Sequence, residues 1–172
     1  MKLRIGLDCD DTINYWYKCY LDRFGQPKDD FIITRHVQRD LKRDKDFWIN
    51  LPIKHFPDFK VTLYCTKRVN PKSWTREWLE KHNYPKAPIY QVVSQTKNKA
   101  DVIKGKVDVF IDDSISNFIK MNLAGVPCLL MDSDNNQSWG PIGRIYTLQE
   151  SEIEEAYLLF METFFPNFKD LL

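Results

Sequence analysis

The sequence predicts an α/β protein in which a parallel sheet is covered by helices on both faces. Two observations predict it: short, β-branched apolar runs recur along the chain, and amphipathic stretches separate most of them. A third observation, the acidic residues that end two of those runs, says which edge of the sheet carries chemistry.

The apolar runs are residues 3–7, 61–65, 89–93, 107–111 and 126–131, each read as a strand buried on both faces. Helices are expected at 71–82, 97–104, 114–123 and 151–164. In the first of these Trp74, Trp78 and Leu79 share a face, and Pro71 suits a first turn. The tryptophans are expected in the core. Residues 15–59 break the alternation: they contain no convincing strand, only helical stretches around 15–24 and 35–47. A connection that long is expected to be a structured insertion, and its place after the first strand sets it over the ends of the sheet.

The chain has 172 residues, 43% of them hydrophobic and 28% charged, the profile of one globular domain with a sizeable core. Lys and Arg total 25 against 24 Asp and Glu, so no net field favours a polynucleotide or an anionic membrane surface, and an anionic substrate must be captured locally. Cys9, Cys19, Cys65 and Cys128 lack metal-ligand spacing and read as reduced thiols. Neither a signal peptide nor a membrane-spanning run is visible, and a cytoplasmic protein is expected.

The first run leads into Asp8-Cys-Asp10-Asp11-Thr12 and the fourth into Asp112-Asp113-Ser114. Parallel strands end on one edge, so these acids converge, although two carboxylates about 4 Å apart oppose each other by roughly 4 kcal/mol at an effective dielectric near 20. A divalent, oxygen-ligated cation resolves that repulsion, and Mg2+ is the natural choice because it takes a few carboxylates and keeps positions for water and phosphate. The bland reading is a set of solvated turn acids with Thr12 as a helix cap; a second acidic strand end weighs against it. Thr66 ends the second run, and Lys97 and Lys99 open a helix before the fourth, so a hydroxyl and an ammonium are available to a phosphate.

The order Asp8-x-Asp10-x-Thr12, Thr66, Lys99, Asp112-Asp113 resembles the ordered motifs of the haloacid dehalogenase-like (HAD) phosphohydrolase superfamily. Within it the sequence is most similar to the 5'(3')-deoxyribonucleotidases, through Phe24-Gly25, Ile33-Thr34, Phe47-Trp-Ile-Asn-Leu-Pro52, Val126-Pro-Cys-Leu-Leu-Met-Asp132, Trp139 and Arg144-Ile145. The resemblance implies a Rossmann-like doubly wound sheet, with residues 1–14 and 60–172 as catalytic core and 15–59 as a small helical cap. It implies Asp8 as the nucleophile that forms an aspartyl-phosphate and Asp10 as the acid and base. It also implies Mg2+ held by Asp8, the Asp10 carbonyl and Asp112 with Asp113 in support, and phosphoryl oxygens held by Thr66 and Lys99. Lys99 is preferred to Lys97 for its distance ahead of Asp112; Asp11 stands where many relatives carry Gly.

The insertion supplies Tyr15, Trp16, Tyr17, Phe47 and Trp48, aromatic surface suited to stacking a nucleobase. The resemblance points to Phe47 and Trp48 as the substrate contacts, while the competing reading is that a small cap uses its aromatics as its own core. The expected substrate is a (deoxy)nucleoside monophosphate, and a membrane partner is not expected. A nucleic acid 3'-end phosphatase is the alternative, disfavoured by the neutral charge. A phosphoacceptor module is more distant, because its acceptor would sit on a middle strand rather than at Asp8, and an idle interaction protein would lack one of the two acids. His36, His55 and His82 are scattered and receive no role.

Overall fold

The computed structural model describes residues 2–93 and 97–164. Six parallel strands form one sheet in the order β3-β2-β1-β4-β5-β6. They are β1 (Ile5–Leu7), β2 (Leu63–Thr66), β3 (Ile89–Gln91), β4 (Val109–Asp112), β5 (Cys128–Met131) and β6 (Arg144–Ile145). The chain winds outward from β1 through β2 to β3, then returns to β4 on the other side of β1 and winds outward again. The order therefore reverses between β1 and β4, and a crevice opens there at the carboxyl ends of the strands.

Four of the five apolar runs form strands for the expected reason, whereas β3, at the edge of the sheet, is only partly buried. Every residue of β1, β2, β4 and β5 is buried, which only a sheet covered on both faces provides. Gly6 lets β1 sit at the middle of this sheet: a Cβ there would meet Phe110 Cδ2 at 2.8 Å and Val107 Cγ1 at 2.9 Å.

Between strands lie α4 (Lys72–Lys81), α5 (Ala100–Ile103) and α6 (Ile115–Leu123), with α7 (Glu150–Phe164) after β6. Trp78 and Leu79 are buried on α4, and Trp74 packs against the core beside them. Ser114 caps α6 by accepting from Asn117 N. The last strand was not expected. It is two residues long, has no apolar run, and is held by backbone bonds from Leu130 N to the Gly143 carbonyl and from Asp132 N to the Ile145 carbonyl.

The segment joining β1 to β2 contains α1 (Trp16–Phe24), α2 (Asp30–His36), a π-helical turn (Val37–Leu41) and α3 (Lys45–Ile49). The single helical stretch expected at 35–47 is thus divided. Asp29 starts α2 early by accepting from Ile32 N, and Asp44 starts a separate helix by accepting from Phe47 N at 3.0 Å. Entry and exit of the segment are paired: Tyr15 N donates to the Pro52 carbonyl and Lys54 N to the Ile13 carbonyl. The Trp78 indole donates to the Leu51 carbonyl at 2.7 Å, and the Tyr84 hydroxyl bridges the carbonyls of Ile13 and His55. No helix among the described residues is long and apolar enough to cross a membrane.

Candidate active site

At the crevice, β1 releases Asp8 and β4 ends on Asp112, the two neighbouring strands at the reversal point. One carboxylate oxygen from each of Asp8, Asp112 and Asp113 lies within 4.8 Å of the others. The Lys99 ammonium, 2% exposed, stands 2.7 Å from both Asp8 Oδ1 and Asp112 Oδ2. It donates a hydrogen bond to Asp112 and forms an ion pair with Asp8. Lys97, two residues earlier, is exposed.

The supporting bonds fix this cluster. Asp112 accepts from Ser114 N at 3.0 Å and from Asn117 Nδ2 at 3.1 Å on each oxygen. Thr12, fully buried, donates to Asp113 Oδ1 at 3.4 Å, and the Asn136 amide donates to the Asp113 carbonyl. Thr66 ends β2 with its hydroxyl buried and without a partner among the described residues.

With all three acids ionised, a single ammonium would leave the cluster negative in a low-dielectric setting, and the proton affinities of Asp8 and Asp113 rise in response. Burial pushes the Asp8 carboxyl up to about 7 against the pull of Lys99, and Asp112 and Asp10 add to the rise. Burial likewise drives Asp113 well above the usual carboxylate range, with Asp112 next in effect. For Lys99, burial acts against the charge, but Asp112 and Asp8 outweigh it and hold the ammonium well above the ordinary lysine value. Such a set of oxygens, short of positive charge, fits a small divalent cation.

Asp10 is held by other partners. Both its oxygens engage the guanidinium of Arg68, with Nε donating to Oδ2 at 2.9 Å and Nη2 closing the pair on Oδ1, while Asn14 Nδ2 donates at 3.3 Å. Its side chain is not in the three-acid group. Asp11, which follows, takes φ 56°, a left-handed turn. Asp11 Oδ1 accepts from Tyr17 N, Lys54 donates to the Asp11 carbonyl, and burial raises this carboxyl to about 7.

Arg68 was not singled out in the sequence. It is 2% exposed, donates to Thr75 Oγ1 at 2.9 Å, and lies 4.8 Å from the Trp48 ring centre, joining β2, α4 and the inserted segment at Asp10. An Arg two residues beyond a strand-ending Thr was the available signal, but a surface cation is the usual meaning of such a residue.

A cavity of about 610 Å³ opens over the cluster. Asp8, Asp10, Lys99 and Asp113 line it from the sheet; Asp112 and Thr66 are not among its lining residues. From the inserted segment come Trp16, Ile33, Thr34, Val37 and Trp48. Trp48 is nearly buried and its indole donates to the Leu41 carbonyl at 2.8 Å. Phe47 does not line the cavity; it packs edge-on against Trp48, ring centres 5.4 Å apart. Trp16 instead reaches the cavity, its ring 6.5 Å from that of Trp48 at 22°.

No family profile and no curated protein matches the chain. Among solved structures it is similar to a HAD-superfamily hydrolase from Ehrlichia chaffeensis, with 14% sequence identity over 94% of this chain and 98% of that one and a TM-score of 0.40.

Proposed function

We propose that this protein is a Mg2+-dependent phosphomonoester hydrolase of the HAD-like superfamily, of the 5'(3')-deoxyribonucleotidase kind, acting on a (deoxy)nucleoside monophosphate. The observation that carries the reading is the meeting of Asp8, Asp112 and Asp113 oxygens beside the buried Lys99 ammonium at the reversal point of the sheet. Residues 1–14 and 60–172 act as the catalytic core and 15–59 as its cap. The four free thiols, three of them buried, fit a reducing compartment such as the cytoplasm.

Asp8, Asp112 and Asp113 would hold Mg2+, with the Asp10 carbonyl as a further oxygen. When bound, the ion supplies the positive charge that lets an anionic phosphate approach a carboxylate. Asp8 then attacks phosphorus: an oxygen–phosphorus bond forms at Asp8 and the ester bond breaks. Asp10 passes its proton to the departing oxygen, held in line by Arg68 and Asn14. In the second step Asp10 takes a proton from water, whose oxygen bonds to phosphorus as the Asp8 link breaks and inorganic phosphate leaves. Lys99, and Thr66 with its unspent hydroxyl, hold phosphoryl oxygens as charge builds on them.

The nucleoside reading rests on the cavity wall. Trp16, backed by the nearly buried Trp48, offers aromatic surface alongside Ile33 and Val37, and stacking on such surface contributes about 1–3 kcal/mol per base. The Trp16 indole N–H is buried without a partner among the described residues and suits a base or sugar acceptor.

The test is phosphate release from a panel of deoxy- and ribonucleoside monophosphates, with Mg2+ or with chelator, for the native chain and for Asp8→Asn. Release that requires both the ion and Asp8 is expected. Turnover that survives chelation and the substitution overturns the proposal.

A further inference from the structure

The loop that follows β2 lines two cavities. Lys67 and Arg68 face the one over the acid cluster, whereas Asn70, Pro71 and Lys72 face a second, open groove of about 490 Å³; Val69 and Val93 line both, so the two are contiguous. Three cations edge the groove, Lys42 and Arg43 from the inserted segment and Lys72 from the start of α4. All three are exposed, none makes an ion pair among the described residues, and no acid lines the groove.

Its floor is unusual. Asn70 is 1% exposed, yet among the described residues neither its amide nitrogen nor its amide oxygen has a partner. Gln91 beside it donates from Nε2 to the Arg68 carbonyl at 2.9 Å and the Asn70 carbonyl at 2.5 Å, while its buried Oε1 is also unpartnered. A buried polar atom left unpaired costs about 1–3 kcal/mol, so a lined, unsatisfied amide marks a place where a ligand completes the bonding. Asn70 Nδ2 is the one unspent donor of the floor, and three exposed cations with no acid among the lining residues are what select an anion.

We infer that this groove, contiguous with the cavity over Asp8, is a subsite for a second phosphate carried by the same substrate. The inference rests on the phosphohydrolase reading above and extends it from monophosphates to substrates that bear two phosphates. The second group is either a further terminal phosphate, as in a nucleoside 3',5'-bisphosphate, or the diester link of a short oligonucleotide. Near-neutral overall charge is compatible with both, because three local cations suit one or two phosphates rather than a long strand.

The experiment compares phosphate release from dTMP, from thymidine 3',5'-bisphosphate, and from a thymidine dinucleotide phosphorylated at either end. It uses the native chain, a Lys42→Ala/Arg43→Ala/Lys72→Ala variant, and Asn70→Asp, which keeps the side-chain shape and adds a negative charge. Substrates with a second phosphate should show KM roughly tenfold below that of dTMP, an advantage that shrinks as salt rises. Both variants should lose the advantage while the triple variant keeps dTMP turnover within about twofold. A preference for the bisphosphate alone assigns the groove to a terminal phosphate, and a preference for the dinucleotide assigns it to the diester. No advantage in the native chain, an advantage untouched in the triple variant, or an equal loss for dTMP overturns the inference with the hydrolase reading intact. Absence of turnover for every ester, including p-nitrophenyl phosphate, removes the hydrolase reading and this inference with it.

Discussion

Replacing Lys99 with Met isolates the charge balance of the acid cluster. The ammonium is 2% exposed and 2.7 Å from both Asp8 and Asp112, and removing one partner of a buried pair costs about 3–5 kcal/mol. For a chain of this size each kcal/mol moves Tm by about 2–4 °C, so a fall of roughly 6–20 °C is expected. The loss should depend on pH. Lys99 is held above its unfolded value, so its contribution is fully present from pH 5 to pH 8. Asp8 has a folded value of about 7 against an ordinary 3.8, so the folded state binds more protons between those limits and its stability declines as pH rises through them. Without the ammonium Asp8 is pushed higher still, and the deficit of Lys99→Met should be larger at pH 8 than at pH 5. Thermal unfolding with chelator at both pH values measures this. A Tm change below about 2 °C at both, or equal deficits, refutes the electrostatic account. Added Mg2+ should recover part of the loss at pH 8; failure there counts against the metal assignment alone.

Gly6→Ala should destabilise by about 1–3 kcal/mol, because its Cβ would press into Phe110 and Val107; an unchanged urea midpoint would show that the sheet yields. Asp11→Gly relieves a left-handed turn at φ 56° and removes a buried carboxyl whose raised value of about 7 penalises folding increasingly from about pH 4 to pH 7. It should therefore raise Tm more at pH 8 than at pH 5, and a fall at pH 8 would mean that the bond to Tyr17 N outweighs both gains. Arg68→Met should reduce kcat on alkyl phosphates by about a hundredfold and barely touch 2,4-dinitrophenyl phosphate, whose leaving group needs no proton. Parallel losses on the two would confine Arg68 to a packing role.

Strands buried on both faces were legible because nothing but an apolar run survives there, so β1 and β4 could be read with their terminal acids. The two-residue β6 was not, since backbone bonds to β5 and the Arg144 side chain on Asp132 hold it rather than any hydrophobic pattern. In the inserted segment the aromatic concentration was visible, but its orientation was not. Tertiary contact decides that Trp16 and Trp48 reach the cavity while Phe47 packs behind, and that Asp44 begins a helix inside what reads as a continuous one. The pairing of Asp10 with Arg68 links residues 58 positions apart and leaves no local trace.

The paired crossings at Tyr15–Pro52 and Ile13–Lys54 have an architectural consequence. Because the chain leaves and re-enters the sheet within a hydrogen bond of itself, everything above that clasp is topologically a side branch. A designer can exchange it for a shorter or longer loop while the spacing of the strands beneath stays put, and so refit one reactive centre to molecules of another size.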